Sequence, residues 1–247
     1  RYYRDIQLLL AIEDCDQCEK LFFTPVPLSL RMNKTSMYHQ TLQTLNETFG
    51  LRAQTVQWME LFGGAMYVTP TPCPSEASEG LQVVNMLAST GEVVVQDGLS
   101  MLAAAALDVQ PGHAVLDLCS APGSKTCQLL DALQVDSLGN TSVTSNSLLV
   151  ANDLLEERSE RVWARTNTVN GSNSKALMVT TMDGQFFPQI LQDGFDRILV
   201  DVPCSSDGTM RKEPKVLHRW KVLNGLNHHG LQVSLLSRGI ELLKPGG

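Results

Sequence analysis

The sequence lacks the features that would place a protein in a membrane or in an oxidising compartment. None of the apolar runs in its 247 residues approaches the ~18 residues that a membrane-spanning helix needs, and no signal peptide opens it. The six cysteines are scattered instead of clustered in pairs, which is typical of proteins in a reducing environment. We therefore expect an intracellular protein without a membrane partner.

Candidate metal ligands are also few. Cys15 and Cys18 have the spacing of half a zinc site, but no second Cys or His pair at ligand spacing lies nearby. His228 and His229 are adjacent, whereas two ligands on one face of a helix lie about four residues apart. We expect no bound metal.

The glycine patterns of nucleotide sites are missing from the most informative stretch, residues 113–125, which reads HAVLDLCSAPGSK. Residues 114–118 are apolar enough for a buried parallel strand, and the small residues after them predict a tight turn. Ser124 is a candidate N-cap for a helix over residues 125–133. The stretch contains neither Gly-x-Gly-x-x-Gly nor the first glycine of a phosphate loop. Taken alone, it indicates an ordinary strand-to-helix turn.

The chain then repeats this alternation of strand and helix. Further strands are predicted at 147–151, 175–181 and 197–202, and further helices at 154–168 and 226–243. The alternation predicts an α/β fold with a doubly wound, mostly parallel sheet. In the last helix we expect the apolar stripe to face inward, namely Leu231, Leu235, Leu236, Ile240 and Leu243.

Acidic or small residues lie at the carboxyl ends of all four predicted strands. They lie at 119–125 and at Asp153, Asp183 and Asp201. The carboxyl ends of strands in an open α/β sheet line one crevice. A single Asp after a strand is usually a cap or turn residue, but four strand ends of this kind indicate a cofactor site.

Two motifs carry a resemblance to a known family. Residues 117–125 read DLCSAPGSK, and residues 201–212 read DVPCSSDGTMRK. Together they resemble the Sun/Nop (RsmB/NOP-type) family of S-adenosylmethionine-dependent RNA cytosine-5 methyltransferases, and the TMRK continuation is closest to the tRNA-directed branch. The resemblance implies a class I Rossmann-like methyltransferase fold, S-adenosylmethionine as cofactor and RNA as partner, with tRNA favoured over rRNA.

The resemblance also implies roles for individual residues. The glycine turn would hold the methionine part of the cofactor, Asp153 the ribose and Asp183 the adenine end. The implied cofactor-binding residues are Cys119, Ser120, Ala121, Pro122, Gly123, Ser124, Lys125, Asp153, Asp183 and Asp201. The implied catalytic residues are Cys204 and Asp201, the latter for a hydrogen bond near N3 and N4 of cytosine.

The position of the reacting cysteine matters because cytosine C5 is a poor nucleophile until a thiolate adds at C6. In the RNA family the attacking thiol belongs to a Thr-Cys motif on the strand after the long last helix, and the Pro-Cys thiol, here Cys204, serves in product release. The sequence stops at Gly247, where that strand would begin. We expect the C-terminal strands of the sheet to be missing and this chain to be incomplete for catalysis. In DNA cytosine-5 methyltransferases the Pro-Cys thiol itself attacks, so attack by Cys204 is the alternative.

Two other classes of function are weighed against this one. The chain could be a catalytically inactive RNA-binding or scaffolding fragment that keeps the cofactor fold. A small-molecule methyltransferase is disfavoured by the DVPC loop and by the basic residues after it. Ser206 and Glu213 depart from the family pattern, which usually has Gly and Asn there.

The resemblance divides the chain into two parts. Residues 1–90 would form a small N-terminal α/β RNA-binding module with a linker, and residues 91–247 the methyltransferase domain. Arg31 matches the Arg of the family's Arg-x-Asn element, so the resemblance implies that it contacts RNA; an edge strand with a solvated Arg fits the sequence equally well.

Charge is the last observation that bears on RNA. The formal net charge of −7 argues against phosphate binding over the whole surface. Five basic residues nevertheless lie between positions 211 and 221, directly after the DVPC loop, and this position favours phosphate contact over a solvated face. We expect Arg211, Lys212 and Lys215 to contact RNA. A monomer is expected, and the resemblance favours the nucleus or nucleolus over the cytoplasm.

Overall fold

The computed structural model describes residues 28–32, 40–41, 43, 52–55, 65–69, 74–134, 146–170, 175–210 and 212–247. The chain divides into two compact units. The larger unit comprises Pro27–Val202 and Ser234–Gly247, and the smaller comprises Arg1–Val26 and Pro203–Val233. The boundary expected between residues 90 and 91 lies within the larger unit and stays a prediction.

The larger unit begins with a four-stranded antiparallel sheet. Its strands are β1 (Leu28–Met32), β2 (Arg52–Thr55), β3 (Ala65–Thr69) and β4 (Val93–Val95), in the order β2-β3-β1-β4. Helix α1 (Pro74–Ser89) connects β3 to β4. Leu30 and Met32 of β1 form a buried cluster with Val84 of α1. The intervening Arg31 is also buried, so β1 is covered on both faces.

The second sheet of the larger unit is parallel. It contains β5 (Ala114–Asp117), β6 (Leu148–Asp153), β7 (Leu177–Thr181) and β8 (Arg197–Leu199) in the order β7-β6-β5-β8. Helix α2 (Gly98–Ala105) precedes β5, α3 (Ser124–Gln134) joins β5 to β6, and α4 (Glu156–Asn170) joins β6 to β7. The predicted doubly wound α/β sheet is confirmed.

The order of the parallel strands fixes where a ligand can bind. The chain moves outward from β5 through β6 to β7 and then returns to the other side of β5 as β8. The strand order therefore reverses between β5 and β8. In open α/β sheets a crevice forms at this point, outside the carboxyl ends of the strands.

The core packs α3 onto the parallel sheet. Leu129, Leu130 and Leu133 of α3 are at most 1% exposed and contact Val115 and Leu149 of the sheet, as the helical spacing predicts. This burial fixes the direction of α3, and so the position of its first turn at the crevice.

The last helix, α6 (Val222–Leu242), departs from the sequence expectation. Leu235 is buried, but Leu236 and Ile240 are 52% and 65% exposed, so the inward placement expected for these two was wrong. The face turned to the sheet contains Gly239, where an added Cβ would lie 2.8 Å from Val200 Cγ2. The helix approaches the sheet through a residue that has no side chain.

The smaller unit contributes the loop after the DVPC motif. It contains a 3-10 turn at Asp207–Thr209, helix α5 (Pro214–Arg219) and the beginning of α6. In the described part of the chain, no helix has the length and apolarity needed to cross a membrane.

Candidate active site

The turn after β5 is held by backbone hydrogen bonds from its neighbours. Ser120 N donates to Asn152 O of β6 at 2.8 Å, and Gly123 N donates to Ser120 O at 2.8 Å. Gly123 has a φ of +93°, and an added Cβ would lie 3.2 Å from Val162 Cα of α4. Glycine is required there both for the left-handed backbone and for the close approach of α4. The turn is therefore a rigid entry into α3.

A cavity of about 170 Å³ opens beside this turn, at the reversal of strand order. The β5–α3 turn and the end of β8 line it through Asp117, Cys119, Ser120, Ala121, Pro122, Ser124, Lys125 and Asp201. Val95, Gln96, Asp97 and Ser100, at the junction of β4 and α2, also line the cavity. The structure thus brings most of the predicted cofactor-binding residues together.

An ion pair joins two of the lining residues. Lys125 Nζ donates to Asp201 Oδ2 at 2.6 Å, joining the first turn of α3 to the chain after β8. The side chain of Lys125 is 19% exposed and that of Asp201 is 51% exposed. Lys125 therefore orients a carboxylate that solvent, or a substrate, can still reach.

Asp117 is a site residue that the sequence reasoning missed. It is 1% exposed, and its Oδ2 accepts a 2.7 Å hydrogen bond from the Thr126 hydroxyl. Its Oδ1 and the buried Oγ of Ser120 have no hydrogen-bond partner among the described residues. Burial raises the pKa of Asp117 to about 7, with Asp201 adding to the shift and the hydrogen bond from Thr126 opposing it. The available signal was a single carboxylate at the end of an otherwise apolar strand.

Asp153, predicted to hold a ribose, lies at the end of β6 and is 4% exposed. Its carboxylate accepts from Arg158 Nε at 2.8 Å and from Ala121 N at 3.1 Å. It is not part of the cavity lining described above. Asp153 therefore also holds the glycine turn in place.

Asp183, predicted for the adenine end, caps a 3-10 turn by accepting from Gln185 N at 2.9 Å.

The described thiols differ in how readily they could react. Burial and the nearby carboxylates Asp117, Asp153 and Asp201 raise the pKa of Cys119 to about 12, so its thiol stays protonated. Cys127 forms a Thr-Cys pair with Thr126, but it is fully buried in α3 and burial raises its pKa to about 12 as well. Cys204 is exposed and belongs to the smaller unit, where its Sγ accepts from Ser206 N at 3.4 Å.

The residues predicted to contact RNA differ in their placement. Arg31 is 3% exposed and forms a buried ion pair with Asp131. Its guanidinium is therefore not on the surface, where a contact with RNA would require it. Lys212 and Lys215 are exposed. Arg211 lies outside the described residues.

A parallel α/β sheet with a ligand cavity at the reversal of its strand order defines a class of cofactor-binding proteins. Comparison with known families is more specific, because the model of the family described as 16S rRNA methyltransferase RsmB/F matches residues 104–247. The chain belongs to this RsmB/F methyltransferase family.

Two relatives and one solved structure illustrate the match. The multisite-specific tRNA:(cytosine-C(5))-methyltransferase of Saccharomyces cerevisiae is 41% identical over 64% of this chain and 24% of that protein. The 5-cytosine rRNA methyltransferase NSUN4 of Xenopus laevis is 30% identical over 98% of this chain and 55% of that protein. A methyltransferase homologue from Pyrococcus horikoshii is 25% identical, with a TM-score of 0.66 over 92% of this chain and 64% of that one. The match thus covers about a quarter of the length of the yeast protein and about half of the length of the Xenopus protein.

Proposed function

We propose that this chain forms the cofactor-binding part of an RNA cytosine-C5 methyltransferase that uses S-adenosylmethionine and acts on tRNA. The observation that carries the proposal is the cavity beside the β5–α3 turn. Asp117, Lys125 and Asp201 line this cavity, and the chain belongs to the RsmB/F methyltransferase family. The tRNA specificity is supported by the tRNA enzyme of yeast, which is 41% identical in the matched region. An intracellular place of action is part of the proposal.

The residues of the cavity fit the methionine part of the cofactor. S-adenosylmethionine carries an ammonium group, and Asp117 Oδ1 and Ser120 Oγ are buried acceptors without a partner among the described residues. Buried polar atoms are normally paired, so these two favour a ligand that donates hydrogen bonds. The volume of about 170 Å³ is below the roughly 300–1,000 Å³ of sites that enclose whole drug-sized ligands. The cavity therefore suits one part of the cofactor.

The proposed chemistry uses one carboxylate and one thiol of this chain, and the attacking thiolate would come from the family's Thr-Cys motif. When bound, S-adenosylmethionine supplies an electrophilic methyl group. A thiolate that adds at C6 makes C5 nucleophilic; after C5 has taken the methyl group, a base removes the C5 proton and the thiolate leaves. We assign Asp201 to the hydrogen bond near N3 and N4, since Lys125 holds its half-exposed carboxylate at 2.6 Å. Cys204 is the exposed thiol among the described cysteines, and we assign it to product release.

The basic residues after the DVPC loop supply the proposed contacts to RNA phosphates. Lys212 and Lys215 are exposed, as phosphate contact requires. They carry no sequence information of their own and would set the orientation of the RNA.

The test uses this chain joined to a strand that carries the family's Thr-Cys motif, which would supply the attacking thiol. It measures transfer of a tritiated methyl group from S-adenosylmethionine to tRNA and to rRNA, followed by nucleoside analysis. The proposal expects label in 5-methylcytidine of tRNA. Cys204→Ala should accumulate a covalent protein–RNA adduct on a denaturing gel, and Ser205→Ala, the neighbouring control, should not. Label in another nucleoside would contradict the proposal, and turnover that Cys204→Ala abolishes without an adduct would make Cys204 the attacking thiol.

A second function is favoured by the state of the described thiols: Cys127 is buried, Cys119 is half-buried with a raised pKa, and Cys204 is the exposed one. A protein that binds S-adenosylmethionine and RNA but transfers no methyl group would act as an RNA-binding or scaffolding protein. Binding of both ligands without transfer would support this function over the first.

A further inference from the structure

Arg31 lies at the centre of a buried polar network in the larger unit. It belongs to β1, on the face opposite Leu30 and Met32. Its guanidinium forms an ion pair with Asp131 of α3, and its Nε donates to Gln96 Oε1 at 3.2 Å. The strand of one sheet is thus tied to the helix that packs on the other.

The network continues from Gln96 into α3 and α2. Gln96 Nε2 donates to Gln128 Oε1 at 2.9 Å, and Gln128 Nε2 donates to Met101 O of α2 at 2.9 Å. The backbone N of Gln96 donates to Ser29 O of β1 at 3.2 Å. Side-chain networks that are buried and connected in this way hold their members in one arrangement.

The segment held by the network is a wall of the cavity. We call residues 95–100 the wall segment; Val95, Gln96, Asp97 and Ser100 line the cavity together with residues of the glycine turn. Asp97 begins α2 by accepting from Ser100 N at 3.1 Å, so the segment is locally ordered as well. The network and the cavity share Gln96.

We infer that Arg31 is a positioning residue for the cofactor cavity: its contacts with Asp131 and Gln96 hold the wall segment against α3 and set its distance from the glycine turn. The first half of the chain therefore contributes to cofactor binding through β1 and the wall segment. Replacing Arg31 by a neutral residue removes its ion pair with Asp131 and one hydrogen bond of Gln96. The inference rests on the proposed function for the identity of the ligand.

The test compares Arg31→Met with a matched variant, Lys244→Met. Lys244 Nζ pairs with Asp196 Oδ1 at 2.7 Å, and Asp196 in turn accepts from Ala114 N, the first residue of β5. This pair therefore lies at the amino ends of the parallel strands, away from the cavity at their carboxyl ends. Both variants lose an ion pair of the same unit, but only Arg31→Met should loosen the wall segment. Gln128→Met, which keeps the ion pair and removes the link to Gln96, is the third variant and decides the test if Arg31→Met does not fold.

Two measurements are made on each folded variant. Hydrogen exchange without cofactor should be faster at residues 95–100 in Arg31→Met and Gln128→Met than in the wild type and Lys244→Met. The dissociation constant of S-adenosylmethionine should rise about tenfold or more in the same two variants, since small displacements of a binding group cost this much. It should stay within about twofold in Lys244→Met, which loses the more exposed of the two ion pairs and should therefore lose less stability.

The outcomes separate the inference from the proposed function. A folded wild type that does not bind S-adenosylmethionine would contradict the proposed function. The hydrogen-exchange rates at residues 95–100 would still test the positioning role of Arg31 in that case. Unchanged exchange at residues 95–100, or an unchanged dissociation constant in a wild type that binds, would overturn the role of Arg31.

Discussion

Lys125 Nζ lies 2.6 Å from Asp201 Oδ2, so the first turn of α3 and the chain after β8 are joined by an ion pair across the reversal of strand order. The two residues are 76 positions apart in the sequence, and each belongs to one of the two family motifs. A half-exposed pair contributes about 1 kcal/mol or less to stability. Its significance is geometric, because it fixes a carboxylate beside the proposed cofactor cavity.

Lys125→Met should therefore reduce methyl transfer much more than stability. Asp201 loses the donor that orients it, and losses of one preorganised polar contact reduce kcat by roughly a hundredfold. The free energy of unfolding should change by about 1 kcal/mol or less. Methyl-transfer kinetics and urea denaturation measure the two effects. The control is Lys244→Met, which should keep the rate; equal losses in both variants would contradict the role of Lys125.

Asp153→Ala should weaken S-adenosylmethionine binding by about 1–3 kcal/mol, because charge-assisted hydrogen bonds to the ribose are lost. The structure adds a second cause, since Asp153 also accepts from Ala121 N of the glycine turn. Calorimetry on the folded variant measures the loss. The exposed Asp193→Ala is the control. Unchanged affinity in Asp153→Ala would refute the ribose assignment.

Asp117→Asn should make the protein without cofactor more stable above neutral pH. Burial raises the pKa of Asp117 from 3.8 to about 7, so the folded state holds its proton more tightly than the unfolded state does. The stability of the folded protein is therefore unaffected by this group below about pH 4. It falls by a few kcal/mol in total as the pH rises to about 7 and Asp117 must ionise in its buried position. Asn carries no charge, so the variant should exceed the wild type at pH 8 and differ little at pH 4.

Urea denaturation at pH 4, 6 and 8 measures this difference. Asp193→Asn is the control, because that residue is exposed. Parallel pH profiles for the wild type and Asp117→Asn would show that Asp117 does not titrate in this range.

Ser206→Gly should stabilise the loop after Cys204 by about 1 kcal/mol. Ser206 has a φ of +58°, a left-handed conformation that costs residues with a Cβ about this much relative to glycine. The change restores the residue that the family pattern usually has. Ser205→Gly, at a position without positive φ, should destabilise instead, since it also loses a 2.6 Å hydrogen bond to Asp207. Equal effects of the two changes in denaturation would contradict the backbone argument.

Lys212→Gln with Lys215→Gln should flatten the salt dependence of RNA binding. Two phosphate contacts fewer lower the slope of log K against log salt by roughly 1–2. The slope is read from filter binding at several salt concentrations. Lys175→Gln, in the larger unit, should leave it unchanged. The same slope in the double variant would mean that the basic stretch is a solvated face.

The sequence predicted the parallel sheet and the glycine turn because both depend on local patterns. Apolar strands alternate with helices, and Leu129, Leu130 and Leu133 repeat at helical spacing, so their burial follows from the order of residues. The strand ends at Asp153 and Asp201 could be found for the same reason.

The sequence could not predict features that depend on distant partners. Arg31 pairs with Asp131, 100 positions away, and no local pattern distinguishes such an Arg from one on the surface. Leu236 and Ile240 of α6 match an inward stripe, but the helix contacts the sheet through Gly239, which a search for apolar side chains passes over. Asp117 stood out only once its Oδ1 was found buried without a partner among the described residues.

The central claim, that the cavity beside the β5–α3 turn holds S-adenosylmethionine, is tested most directly by calorimetric titration of the cofactor into the wild type and Asp117→Asn at pH 8. The account predicts saturable binding by the wild type and binding weaker by about tenfold or more in Asp117→Asn, since an ionic hydrogen bond to the ammonium group is lost. Because this variant is expected to be the more stable protein, unfolding could not explain the loss. Equal affinity in the two proteins, or a folded wild type that does not bind, would contradict the account.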